Sequence, residues 1–288
     1  MKDKKGMFFT LSAIFIITIL AAVYISSSSV RLKMDKNFAL DRAQEISSSL
    51  ESNIREIISV FKDPNVLIEK SAIDGTINVT FRDTISRDKE NWGTKLEDSM
   101  NSFKQFVESE EPNVKLNVDK MINDKELPLT ISPYNITYFR SWGIGHVILG
   151  VEPLQNLTFK TYEVKINSTT TRIDKVQTNF KAAGNLLLKV TAVDNYGNNI
   201  VKEKLVDPSD SHTIQVFFVN GNKVKVDLNA NNLETWTNVD SNLIVDTKIG
   251  LLPPQDDKTS VKFFADVVNV TFSDLGVEKL GSIAITEG

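Results

Sequence analysis

The hydrophobic and polar positions divide the chain into three regions with different periodicities. Residues 7–25 form an apolar run without a charge, and residues 38–61 carry apolar side chains spaced by three and four. Most of the chain beyond residue 113 alternates apolar with polar positions. These patterns are typical, in order, of a membrane-spanning helix, an amphipathic helix and half-buried β-strands. The sequence therefore predicts a mainly β protein with a long N-terminal α-helix.

The apolar run of residues 7–25 has the length of a transmembrane helix. As a helix it rises roughly 28 Å, close to the hydrocarbon thickness of about 30 Å. A buried core helix is one alternative, but soluble helices are rarely apolar on every side. A cleaved secretory signal that ends near the serines at 26–29 is another, although its apolar region is usually shorter.

An amphipathic stalk helix is predicted for residues 26–63. Its apolar stripe includes Ala43, Leu50 and Ile54, charged residues occupy the other face, and Pro64 disfavours helix at the residue before it. Two partners for the stripe remain open, namely the protein's own sheet and neighbouring copies of the chain. The stripe covers barely three heptads, which is too short to indicate a coiled coil.

Residues 113–288 are predicted to form a two-sheet β-sandwich of jelly-roll or immunoglobulin-like type. Asn220-Gly221 is a strong hairpin signal, and residues 195–198 indicate a second turn. Strands are predicted at 114–118, 130–139, 145–152, 157–167, 186–194, 199–206, 213–219, 223–228, 243–249 and 261–272.

The segment 64–112 is predicted to contain one strand, near residues 76–82, and one helix. Thr94 and Glu97 have the spacing of a capping box at the start of that helix. We expect this segment to dock the stalk onto the β-domain.

Composition excludes several classes of function. The formal net charge is −4 with both signs interspersed, so no basic stripe for nucleic acid is present. The chain has no cysteine, which excludes disulfides and thiolate metal sites. His146 and His212 are the only histidines, and the sequence lacks a nucleophile elbow or a nucleotide-binding glycine loop. We therefore predict a protein that is not an enzyme and needs no cofactor.

Two weaker patterns concern ligands. Clusters of Asp and Asn near residues 194–199 and 227–232 have oxygen ligands suited to calcium, but such residues are also common in turns. The aromatic side chains are either core residues or a stacking platform for glycans. The residues for which both interpretations are open are Trp92, Trp142, Trp236, Tyr134, Tyr138 and Tyr196.

Five sequons permit N-glycosylation if the domain is exported. Chance alone gives a similar count in a chain this rich in Asn, Ser and Thr, so the count by itself is no evidence for the modification. The acceptors are Asn78, Asn135, Asn156, Asn167 and Asn269.

The first residues carry a resemblance to a known family. Lys4, Lys5 and Gly6 form a short basic leader that ends in glycine, and Met7 opens the apolar run. This arrangement resembles the class III signal peptide of archaeal type IV pilin-like proteins. The resemblance implies cleavage between Gly6 and Met7 and retention of the apolar segment as the first part of a long helix. Leu11 stands where bacterial pilins carry Glu, which bears on filament assembly more than on anchoring.

Together these patterns predict a single-pass cell-membrane protein with its N-terminus inside and its β-domain outside the cytoplasm. The expected role is structural or adhesive, as in a pilin-like subunit, with the bilayer and copies of itself or other pilin-like subunits as partners. The alternative is an anchored β-sandwich module that binds an envelope glycan or protein and does not polymerise.

Overall fold

The computed structural model describes residues 26, 37, 41–57, 65–70, 75–132, 136–153, 159–181, 183–252, 262–272 and 277–284. Within these ranges the chain is mainly β, and its strands form two sheets that share one hydrophobic core. This confirms the mainly β class that the alternating pattern predicts. The leader 1–6 and the predicted transmembrane segment 7–25 lie outside the described residues. No helix in the described ranges has both the length and the hydrophobicity to cross a bilayer.

The strands of the described residues are numbered here in chain order. They are β1 (Asn65–Lys70), β2 (Ile77–Ile85), β3 (Val114–Asn117), β4 (Glu126–Ser132), β5 (Ile136–Gly143), β6 (His146–Pro153), β7 (Phe159–Ser168), β8 (Ile173–Asn179), β9 (Leu186–Val193), β10 (Asn199–Val206), β11 (His212–Phe218), β12 (Lys223–Asn229), β13 (Asn232–Asn238), β14 (Leu243–Leu251), β15 (Lys262–Phe272) and β16 (Val277–Ala284).

Two sheets, A and B, are built from these strands. Sheet A has the order β1-β2-β14-β7-β9-β10, and sheet B has the order β16-β15-β4-β5-β6-β13-β12-β11-β8, with β3 paired to β15. Among the described strand pairs, only β7 and β9 run parallel. Alternation turns one face of each sheet towards the core. In β11, for example, His212 and every second residue after it are buried, while the residues between are half-buried.

Three α-helical segments of five or more residues, and two short 3-10 helices at Arg87–Lys89 and Val239–Ser241, accompany the sheets in the described chain. Residues 41–57 are helical and form α1, Trp92–Glu110 form α2, and Asp119–Asn123 form α3. The helix predicted after residue 94 is therefore confirmed, but it begins at Trp92 with Asn91 as its N-cap. Thr94 lies inside the helix, so the predicted capping box is wrong. Helix α2 buries Leu96, Met100 and Val107, which follow the helical spacing.

The stripe predicted for the stalk is buried or half-buried where the structure describes it. In α1 the side chains of Ala43, Leu50 and Ile54 are buried and belong to the same core as both sheets. Arg42 Nη2 lies 3.3 Å from Glu111 Oε2, just after α2. The protein's own core therefore covers this part of the stripe. The rest of the predicted stalk, apart from residues 26 and 37, lies outside the described residues.

Most predicted strands are present, but the prediction of one strand over residues 130–139 is wrong. Strand β4 ends at Ser132, β5 begins at Ile136, and the two pair antiparallel. Strands β1, β8, β13 and β16 were not predicted. The segment 64–112 contributes β1 and β2 to sheet A, where β2 lies between β1 and β14. The predicted Asn220-Gly221 turn is confirmed, since it joins β11 to β12 with Gly221 at φ 86°.

A carboxylate, a phenol and a guanidinium join the two sheets inside the core. Asp83 lies on β2 of sheet A, and Tyr138 and Arg140 lie on β5 of sheet B. Tyr138 Oη donates a hydrogen bond to Asp83 Oδ2, and the Arg140 guanidinium forms an ion pair with Asp83 Oδ1. No side chain of this cross-sheet triad is more than 3% exposed.

Burial makes each member of the cross-sheet triad depend on the others. Loss of water lowers the pKa of Arg140 to about 9 and raises the pKa of Tyr138, so at neutral pH the guanidinium is charged and the phenol is protonated. Phe81 stacks on Tyr138 with ring centroids 3.9 Å apart. Since apolar surroundings cannot solvate a lone guanidinium, the Asp83 carboxylate is its essential counter-ion.

Replacement of Asp83 tests this dependence. Asp83→Asn removes the negative charge and keeps the shape of the side chain. It should lower the free energy of unfolding by about 3–5 kcal/mol, because the Arg140 charge is left buried without a counter-ion. Urea denaturation at neutral pH measures the change.

Asp246→Asn is the matched control. Asp246 Oδ1 lies 2.7 Å from Arg82 Nε, but the Arg82 side chain is 55% exposed and is hydrated after loss of its partner. The expected cost is about 1 kcal/mol or less. Equal losses in the two variants would show that the cross-sheet triad contributes no more than an ion pair whose guanidinium is exposed.

Candidate functional site

The structure does not bring the aromatic candidates together on one platform. Tyr138 belongs to the cross-sheet triad and is buried. Trp142 is buried as well, with its ring centroid 6.2 Å from that of Trp92. Tyr196 is 71% exposed in the turn between β9 and β10, and Tyr134 lies outside the described residues. The interpretation of these residues as core is correct for Tyr138 and Trp142.

Trp236 is the candidate that lies on an accessible sheet face. It projects from β13 on the outer side of sheet B and is half-buried. The imidazole of His146 stacks on its indole, with centroids 5.5 Å apart and planes inclined by 29°. Gly143 permits this position of the imidazole, because a Cβ on Gly143 would lie 2.1 Å from His146 Cε1.

Strand register aligns further side chains with this pair. The first line of outward residues, called row 1 below, crosses β8, β11, β12, β13 and β6. Lys175 pairs with Phe217, Phe217 with Lys223, and Asn238 with His146, while Lys223 and Asn238 flank the Val224–Thr237 pair. Row 1 therefore consists of Lys175, Phe217, Lys223, Asn238 and His146.

The next line of outward residues, row 2, contains the tryptophan. Its members are paired in register across six strands, so they form a continuous line on the same face. They are Gln177, Gln215, Lys225, Trp236, Ile148 and Ser141. Row 2 thus combines amides, an ammonium and an indole.

The lysines of row 1 are held over aromatic rings. Lys223 Nζ lies 5.6 Å from the ring centroid of Trp236, and Lys175 Nζ lies 5.1 Å from that of Phe217. Such cation–π contacts hold an ammonium near the surface without neutralising it. Lys225 differs, because its Nζ lies 2.5 Å from Asp227 Oδ2. Rows 1 and 2 contain no carboxylate, so the face combines exposed positive charge with aromatic surface.

A cleft of about 420 Å³ opens beside the far end of row 2. The start of α2, the loop before β4 and the β5–β6 hairpin enclose it. Ser141 belongs both to its wall and to row 2, and the Lys125 ammonium beside it is paired with Glu97 at 3.0 Å. The tip residue Ile144 is fully exposed.

The calcium hypothesis is not supported where the structure describes the candidates. Asp194 Oδ1 accepts backbone hydrogen bonds from Tyr196 and Asn198 at 2.9 and 3.0 Å. Asp194 Oδ2 accepts from the Ile173 amide and from Asn198 Nδ2. In the other cluster, Asp227 binds Thr213 and Lys225. Within the described residues no group of three or more His, Asp or Glu side chains is arranged for a metal.

His212 has a structural environment. It is fully buried on β11, its Nδ1 accepts from the Lys181 amide at 3.2 Å, and its Nε2 donates to the Asp207 carbonyl at 2.7 Å. Because both ring nitrogens are engaged, the ring joins the ends of two loops and has no free nitrogen for catalysis or metal binding.

The remaining predicted positions are spread over the molecule. Asn78 and Asn167 are half-buried on β2 and β7 of sheet A, and Asn269 lies within β15. The processing residues and two further acceptors lie outside the described residues; these are Lys4, Lys5, Gly6, Met7, Asn135 and Asn156.

Asp194 predicts a specific response to acid. Burial alone would raise the pKa of its carboxyl, but the hydrogen bonds from Asn198, Ile173 and Tyr196 together lower it below the usual value. A lowered pKa in the folded state stabilises the fold above about pH 4 and is lost as the pH falls through the folded pKa. Asp194→Asn should therefore be less stable at neutral pH and should lose less further stability on acidification.

Thermal unfolding between about pH 7 and pH 2 measures this difference. The melting curves of the two proteins should converge as the pH falls. Melting temperatures that decline in parallel would contradict the role assigned to the Asp194 carboxylate.

Comparison with known proteins assigns this chain to no family. The chain matches no protein-family model, and neither a curated protein nor a solved structure proved similar to it.

Proposed function

We propose that this protein is a membrane-anchored, extracytoplasmic structural or adhesive protein of the type IV pilin-like kind. The observation that carries the proposal is the uncharged run of residues 7–25 directly after Lys4, Lys5 and Gly6. A run of this length suits a single membrane span, and a C-terminal domain of this size is usually translocated whatever its charge. The proposed topology has the N-terminus inside and the β-domain outside.

The order of elements supports this proposal. Helix α1 follows the proposed membrane segment and precedes the two sheets, as a stalk precedes a head in pilin-like subunits. Its apolar residues join the core of the sheets, and Arg42 pairs with Glu111, so α1 and the β-domain form one packed unit. A pull on the anchor is then resisted by buried apolar contacts as well as by the covalent chain.

The proposed head is a two-sheet β-sandwich of jelly-roll or immunoglobulin-like type. Its support is the contact of sheets A and B through a common core and the antiparallel pairing of nearly all described strands. Sandwiches of this kind turn one face of each sheet inwards and leave the other face outside the core.

A second candidate function is a single-span anchored binding module that does not polymerise. The observation in its favour is the outer face of sheet B, where Trp236 and Phe217 lie beside exposed lysines. In this case the anchor would hold the β-domain at the cell surface, and rows 1 and 2 would contact an envelope ligand.

The N-terminus of the mature, membrane-extracted protein tests the first proposal. Edman sequencing should give a chain that starts at Met7, because the resemblance implies cleavage after Gly6. A Gly6→Val variant should keep the full-length N-terminus and should remain in the membrane fraction. A wild-type chain that starts at Met1 would indicate a plain signal anchor, and a start near Ser28 would remove the anchor and contradict the proposal.

The size of the extracted protein separates the two candidate functions. A pilin-like subunit should give large assemblies in mild detergent, since neighbouring apolar segments pack together. Analytical ultracentrifugation measures their size. A protein that sediments as a monomer under these conditions would contradict filament formation and favour the binding module.

A further inference from the structure

We propose that rows 1 and 2 on the outer face of sheet B bind an acidic polysaccharide, with Trp236, Phe217, Lys175 and Lys223 as its principal contacts. The inference deepens the second candidate function and rests on the proposal that the β-domain lies outside the cytoplasm. The ligand class follows from three properties of the face, namely its shape, its charge and its polar groups.

The shape of the face suits an extended chain. Row 1 crosses five strands, which at about 4.8 Å per strand gives a line of roughly 19 Å. Trp236 of row 2 and Phe217 of row 1 lie on β13 and β11, two strands apart, so their backbones are separated by about 10 Å in the direction that crosses the strands. An extended oligosaccharide offers the apolar faces of its rings at regular intervals, and two aromatic side chains at this separation can contact it at two points.

The charge of the face favours an anion. Lys175 and Lys223 are exposed, and the described part of the chain gives neither of them a carboxylate partner. The carboxylates of Asp227 and Glu234 lie in the next row, and Asp227 is already paired with Lys225. The surplus of positive charge is therefore confined to rows 1 and 2, in a chain whose net charge is −4.

The aromatic rings restrict the positions of these two ammonium groups before a ligand binds. Each ammonium is held 5–6 Å from a ring centroid, so its position is restricted before binding. A carboxylate on a sugar ring would pair with the ammonium, while the ring itself would contact the aromatic surface that the lysine stem partly covers. Restricting long side chains in advance lowers the entropic cost of binding.

The polar groups of the face match hydroxyl-rich ligands. Gln177 and Gln215 are neighbours in row 2, and Asn238 lies beside Lys223 in row 1. An amide side chain both donates and accepts, which suits a sugar hydroxyl that does the same. Three lysines on one face are few for nucleic acid, whose binding depends on neutralising many phosphates.

Binding of polygalacturonate to the full chain in detergent tests the inference. Its fully methyl-esterified form is the uncharged counterpart and should bind at least tenfold more weakly, because the lysines lose their partners. Isothermal titration calorimetry measures both affinities. Raised salt should weaken binding of the acidic form, as expected for exposed charges.

Variants locate the site. Lys175→Gln and Lys223→Gln should each weaken binding of polygalacturonate on the order of fivefold, the size expected for one exposed ion pair. Trp236→Ala should weaken it about tenfold or more, as expected for a central aromatic contact. Thermal melting of each variant shows whether it remains folded, and the two lysine variants keep the test valid if Trp236→Ala unfolds.

Lys204→Gln is the matched control. Lys204 Nζ on β10 of sheet A lies 5.6 Å from the ring of Phe180, which follows β8 and packs against the core. The variant therefore removes the same kind of cation–π pair without changing a residue of row 1 or row 2. The Lys204→Gln variant should bind polygalacturonate with the affinity of the wild type. Equal binding of both polymers, an equal loss in Lys204→Gln, or tighter binding of single-stranded DNA would overturn the inference.

The test separates this inference from the proposed function. A protein that starts at Met7 and remains in the membrane, yet does not bind polygalacturonate, contradicts the inference and leaves the anchored architecture intact. A protein that binds through rows 1 and 2 but starts near Ser28 supports the binding face and contradicts the anchor.

Discussion

The buried ion pair between Asp83 and Arg140 is the constraint on which the arrangement of the two sheets depends. The hydrophobic effect is non-directional, whereas a guanidinium without water requires its carboxylate at one position. Tyr138 adds a hydrogen bond to the same carboxylate and stacks on Phe81 of the opposite sheet. The cross-sheet triad thus defines how β2 of sheet A faces β5 of sheet B.

The outer face of sheet B follows from strand alternation and register. Because side chains alternate along a strand, β11 buries His212, Ile214 and Val216 in the core and turns Phe217 outwards. Register then places Trp236 in line with Lys225 and gives Phe217 a lysine on either side. A line of binding groups is formed from five separate strands, none of which carries a recognisable motif of its own.

Short-range patterns in the sequence correctly predict the elements whose conformation depends on residues close together in the chain. The Asn220-Gly221 turn and helix α2 were predicted correctly, because positive φ favours glycine and apolar residues at helical spacing favour a buried helix face. Strands β8 and β13 were missed for the opposite reason. Most of β8 is exposed at the edge of sheet B, and β13 begins among asparagines, so their identity depends on pairing with β11, β12 and β6.

The sequence by itself determined the mainly β class, most strands, the hairpin turns and the apolar stripe of α1, because periodicity and turn chemistry act over a few residues. Only the tertiary structure decided that Asp83 meets Arg140, that Tyr138 and Trp142 are core residues, and that Trp236 stands on an open face beside lysines. These facts depend on strand order and register between segments far apart in the chain. Periodicity assigns a residue to one face of its strand, but it does not assign that strand its neighbours.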